Sequence, residues 1–140
     1  MTEYTVIPDK GVTVGKIDKE DCTCVRHEVT DKCSDDTARI TSHILFNSDV
    51  LDIDFDDHWY FKAVSIAREG DEFDDKTGRI IVDAKLSYKY HDLMQRKYKQ
   101  IISQLGNSIK ELEKLQEKHI KARNKCDEKL ANYLWGGIDA

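Results

Sequence analysis

Residues 58–86, HWYFKAVSIAREGDEFDDKTGRIIVDAKL, contain the change of period that sets the fold. Over residues 58–68 the side chains alternate. Trp59, Phe61 and Ala63 fall on one side and Tyr60, Val64 and Ile66 on the other, which reads as a strand. A strand apolar on both faces belongs in the middle of a sheet. After Glu69-Gly70 an acidic stretch, residues 71–75, supplies the negative charge and side-chain caps that a helix N-terminus favours, with Asp74 or Asp75 as N-cap. From Ile80 through Ala84, Tyr88, Met94 and Ile101 to Leu105 the apolar residues then recur at helical spacing.

Upstream of this switch the chain is written in period two. Residues 2–7 form a short strand stopped by Pro8, and residues 11–17 form a second carrying Val12 and Val14. Residues 23–30 place Val25 and Val29 on one face, and a polar loop over 31–37 separates them from another strand at 38–46. In residues 50–56, Leu51, Ile53 and Phe55 alternate with Asp52, Asp54 and Asp56, the pattern of a half-buried strand with a carboxylate-lined outer face. Five or six short strands with compact links predict an antiparallel meander.

Downstream, Gly106 reads as a helix C-cap, and Ser108-Ile109-Lys110-Glu111 matches a capping box opening a second helix that ends before Gly136-Gly137. Two helices of near-equal length, each ~45 Å at 1.5 Å per residue, predict an αα-hairpin. The alternative is one bent helix running through Gly106, since one glycine costs only about 1 kcal/mol. Leu105, Leu112, His119, Cys126 and Tyr133 are spaced by seven, beside a row of Ile102, Ile109, Gln116, Arg123 and Leu130. This is a coiled-coil seam with a polar middle, and it predicts a homo-oligomer or a hairpin packed on itself. The expected fold class is therefore α+β: an N-terminal antiparallel β-sheet followed by two long C-terminal helices. Its regions are an acidic sheet at 1–75, a basic helical part at 76–135 and a tail at 136–140.

Charge follows the same division. The 140 residues carry 22 Lys+Arg and 27 Asp+Glu, but residues 1–75 have a net charge of −11 and residues 76–140 one of +6. Such asymmetry points to an interaction protein. No apolar run approaches the ~20 residues of a membrane span, and the N-terminus has no signal-peptide pattern, so the expected location is cytoplasmic, with no membrane partner. The four cysteines are then expected as free thiols.

No catalytic signature is present: there is no P-loop and no G-x-G-x-x-G, and the five histidines show no triad or metalloprotease spacing. The chain therefore reads as non-enzymatic. Cys22, Cys24, His27 and Cys33 are zinc-preferring residue types, but C-x-C on a strand puts both thiols on one face and His27 on the other. Asp52, Asp54 and Asp56 lack the glycine and closing glutamate of a calcium loop. Neither a metal nor a cofactor is expected.

Two binding surfaces stand out. The carboxylate row Asp49, Asp52, Asp54, Asp56 and Asp57 sets anions ~6.8 Å apart along a strand, close to the phosphate rise of one nucleic-acid strand. It would suit a basic protein partner. The second is a seat for a nucleotide's phosphates and base, formed by Arg68, Arg79 and Lys85 near Tyr60 at a helix N-terminus.

The stretch 61–86, with Asp71, Phe73, Asp74 and Gly78 as its matching residues, resembles a strand, acidic turn and helix unit (D-x-F-D-x-x-x-G) frequent in small proteins of phages and mobile elements of Firmicutes. Some of these are anti-defence factors, including anti-CRISPR proteins and Thoeris inhibitors that sequester a cyclic ADP-ribose signal. The resemblance implies a phage-type binding protein that antagonises a bacterial defence system, either by occluding a protein effector or by sequestering a nucleotide signal. Two other readings stay open. One is a nucleic-acid-binding accessory protein using Lys85, Lys89, Arg96, Lys97 and Lys99; the other is a coiled-coil assembly protein.

Overall fold

The computed structural model describes residues 2–47, 60–68, 70 and 72–136. The fold is α+β, in the element order β1 (Glu3–Ile7), β2 (Val12–Asp18), α1 (Val25–Lys32), α2 (Asp35–Asn47), β3 (Tyr60–Ile66) and α3 (Asp75–Ala131). The chain divides into two compact units, Met1–Ile101 and Ile102–Ala140.

The three strands form one antiparallel sheet in the order β1-β2-β3, with Thr5 opposite Val14 and Val14 opposite Val64. The link between β1 and β2 turns at Gly11, whose φ of 63° is left-handed and whose N–H closes on Pro8 O. Among the described residues β2 is the central strand. The strand read from residues 58–68 is present as β3, but it pairs with β2 alone there. Its outer edge is covered from α3: Lys85 Nζ donates to Val64 O at 2.7 Å and Lys89 Nζ to Lys62 O at 2.5 Å. Lysines one helical turn apart thus satisfy carbonyls that would otherwise template another strand.

One face of the sheet packs on the first turns of α3. Val82 and Leu86 are buried with Ala63, and Tyr4, Ile17 and Phe61 pack around them. The approach is close because two glycines permit it. A Cβ on Gly15 would fall 2.2 Å from Val82 Cγ1, and one on Gly78 would fall 2.4 Å from Thr13 Oγ1. Farther along the first unit Val25, Val29, Leu45, Met94 and Ile101 are also buried. Tyr90 Oη donates to Thr23 O, and Tyr98 Oη donates to Glu28 Oε1, each at 2.6 Å, tying α1 to α3.

Two segments expected as strands are helices. Residues 23–30 lie largely in α1 because Val25 and Val29, four apart, fit a helical stripe as well as an alternating one. Cys24 caps that helix. Residues 38–46 lie in α2, where buried Thr41 and Leu45 are again four apart. Ser34 Oγ accepts from Thr37 N at 3.2 Å, and Asp35 and Asp36 occupy the first turn, a complete N-terminal signal inside the supposed loop. The meander therefore reduces to three strands among the described residues; the strand expected at 50–56 lies outside them.

The predicted break at Gly106 is absent. α3 is one helix of 57 residues that runs through Gly106 and through the supposed capping box at 108–111, followed by a π-helical turn at Asn132–Gly136. The αα-hairpin is accordingly replaced by a single helix. The modest cost of one helical glycine is spread over a cooperative run on both sides. The start of α3 is as expected: Asp74 caps it, its carboxylate accepting from Lys76 N at 3.1 Å and Thr77 Oγ1 at 2.6 Å.

Candidate functional site

In the first unit a cleft of about 620 Å³ opens where β2, β3 and the first turn of α3 converge. Its lining includes Thr13, Ser65, Arg68, Phe73, Asp74 and Thr77. Arg68 is exposed and is the one member of the expected nucleotide seat in this lining. Arg79 points elsewhere: its Nε holds Asp75 Oδ1 at 3.2 Å, and its guanidinium lies 4.7 Å from the centroid of the Tyr4 ring. Lys85 is engaged with β3, and Tyr60 opens that strand. The seat is therefore dispersed, and among the described residues Arg68 shares the cleft lining with Glu72 and Asp74. Hydrogen bonding by Thr77 holds the Asp74 carboxyl below the usual carboxylate range, as befits an ionised cap. Thr13 Oγ1 is buried against Gly78, with no hydrogen-bond partner among the described residues. The row Asp49, Asp52, Asp54, Asp56 and Asp57 lies outside the described residues.

The cysteine-rich segment is arranged differently from the strand reading. Cys24 is the N-cap of α1; its Sγ accepts from His27 N at 3.4 Å and lies 3.0 Å from His27 Nδ1. Helical geometry, with its i, i+3 neighbours, brings together the thiol and imidazole that a strand would separate. Cys24 is 2% exposed, so this pair acts as a cap rather than an open nucleophile. Burial, with the Asp21 carboxylate beside it, pushes the Cys22 thiol up. All four cysteines are free thiols in the structure. Among the described residues no three His, Cys, Asp or Glu side chains gather as a metal site.

Three tyrosines anchor the first unit and share a pH signature. Burial and the hydrogen bond to Glu28 raise Tyr98; burial and the Glu28 charge raise Tyr90; the hydrogen bond to Asp83 raises Tyr4. An unfolded tyrosine loses its proton near ~10, whereas these keep theirs to higher pH. Their contribution is fully present below that value and drains away as pH rises above it, because the folded state then binds more protons. Thermal unfolding between pH 7 and 11 should show a melting temperature that declines in the alkaline limb. Tyr98→Phe should flatten that decline while costing about 1 kcal/mol at neutral pH. An unchanged alkaline limb in Tyr98→Phe would contradict the assignment.

The second unit presents the other candidate surface. Every residue of 107–136 is exposed. On the expected seam, Ile102, Leu112 and Tyr133 are between 65% and 69% exposed, and Leu130 is 56% exposed. Because the helix is continuous from Ile102 to Ala131, the two rows spaced by seven form one stripe along it that drifts by about 20° per heptad, with Tyr133 in the π-helical turn beyond. His119, Gln116 and Arg123 form the polar middle, and Cys126 follows. Lys114, Lys118, Lys121 and Lys125 line the opposite face, with Lys121 Nζ 3.3 Å from Glu117 Oε1.

The basic residues expected to meet nucleic acid are largely occupied. Lys85 and Lys89 cap β3, Arg96 pairs with Asp92 at 3.2 Å, and Lys97 has a partner of its own. Among the described residues no helix is long and apolar enough to cross a membrane. Comparisons with protein-family models, with curated proteins and with solved structures found no match to this chain.

Proposed function

We propose that this chain is a non-enzymatic binding protein of the phage anti-defence kind, which self-associates through the seam of α3 and occludes a protein effector. The observation that carries the reading is the exposed heptad seam of the second unit, which leaves a row of leucine and isoleucine side chains in water. The resemblance of residues 61–86 supplies the biological setting. Occlusion of a protein is favoured over sequestration of a nucleotide because Arg79 and Lys85 are committed to Asp75, Tyr4 and the β3 backbone and do not converge with Arg68. The nucleic-acid reading loses support for the same reason on Lys85, Lys89 and Arg96. The acidic first half, and the row Asp49 to Asp57 within it, supplies charge for steering towards a basic partner.

The test is rescue of phage plaquing on bacterial strains that each carry one defence system. Expression of the chain should restore plaquing on at least one strain. The triple variant Asp52→Asn, Asp54→Asn, Asp56→Asn should lose that rescue, and Arg68→Glu with Arg79→Glu should retain it. Loss with the arginine pair and retention with the triple variant would instead establish a nucleotide ligand. Absence of rescue on every strain would contradict the anti-defence assignment.

A further inference from the structure

We propose that the seam pairs with a second copy of this chain in parallel and in register, so that Cys126 faces its own counterpart; this rests on the self-association proposed above. With Ile102 and Ile109 at the first core position of the heptad, called a, and Leu105 and Leu112 at the second, called d, the start of the seam carries the arrangement that favours two parallel strands. Gln116 at the next a position is a polar layer of the kind that fixes register. Arg123, at the a position after it, packs its stem along the seam and carries its guanidinium to water.

The flanking positions give the orientation independently. Leu115 lies just before the core position of Gln116, and Ile120 lies just after that of His119. In a parallel, in-register pair these flanks meet each other across the interface, the residue at i facing the one at i+5. Leu115 and Ile120, 56% and 39% exposed, are thereby matched. The other pairs of this type, Ser108 with Glu113, Ala122 with Asp127 and Lys129 with Leu134, bring no like charges together. An antiparallel pair sets each flank against its own kind. Ile120 would then meet a row containing Glu113 and Asp127, and Leu115 a row containing Ala122 and Lys129.

Cys126 occupies a d position and is exposed in the single chain. Pairing in register brings the two copies within the roughly 4–7 Å Cα separation that a disulfide spans. The experiment oxidises the full-length chain with diamide under native conditions, on a sample whose mass has first been measured by sedimentation. Each new disulfide gives up two electrons and two protons, which reduce the diazene bond of diamide to a hydrazine. Mixing isotopically light and heavy chains before oxidation marks links between chains. The Cys126–Cys126 link should exceed inter-chain links through exposed Cys33 by about tenfold or more, because pairing raises the local thiol concentration to the mM range. Cys126→Ser should abolish that link and keep the dimer mass. A dimer mass without the Cys126–Cys126 link overturns the parallel register while leaving self-association standing. A monomer mass overturns both.

Discussion

Val82→Asp should unfold the first unit. Val82 is fully buried, and its Cγ1 fills the space that a side chain on Gly15 would need. A carboxylate placed there would lie among Ala63 and Leu86, with Tyr4, Ile17 and Phe61 packed around them. Burying such a charge unpaired costs several kcal/mol, against a total stability of roughly 5–15 kcal/mol for a domain. Near-UV dichroism from the anchoring tyrosines should be lost at room temperature. Gly15→Ala tests the same contact from the strand: overpacking there should cost about 1–3 kcal/mol in denaturant unfolding. A Gly15→Ala protein as stable as the unmodified chain would show that α3 lies farther from the sheet than described.

Leu112→Glu should dissociate the self-associated protein. Leu112 sits in the apolar start of the seam, and pairing would bury it against its counterpart. The substitution removes two leucines from one layer, at roughly 2–5 kcal/mol each for a buried leucine, and adds two like charges. At 1.4 kcal/mol per tenfold change, the dissociation constant should rise by at least about 100-fold. Helicity should fall as well, because an exposed helix without packing is held by propensity alone. Lys114→Glu, on the opposite face, should leave the mass unchanged. Equal weakening by both variants would argue for a general charge effect instead of a seam.

What could be read from the residues follows the strength of their period. The change after Glu69-Gly70 and the Asp74 cap located the start of α3 to within a residue, because alternation, acidic caps and helical spacing all agree there. β1 and β2 were legible for the same reason. α1 and α2 were not, since Val25 with Val29 and Thr41 with Leu45 are four apart, a spacing common to both periods. The deciding information was the capping chemistry of Cys24 and Ser34, which a reading based on alternation passes over. Gly106 does not stop α3, because one glycine costs too little to end a long helical run. The nucleotide seat is dispersed by placement: Arg68, Arg79 and Lys85 are close in sequence around one corner, but packing sends Arg79 to Tyr4 and Lys85 to the β3 backbone, away from the cleft that Arg68 lines. The seam was legible because seven-residue spacing needs only a continuous helix to become a face.

Sedimentation equilibrium of the unmodified chain over a range reaching ~100 μM, where even a ~10 μM dimer is well populated, tests the central claim most directly. Self-association through α3 predicts a mass of twice the 16.2 kDa chain, falling to a single chain mass for Leu112→Glu. One species at 16.2 kDa across the whole range would contradict it.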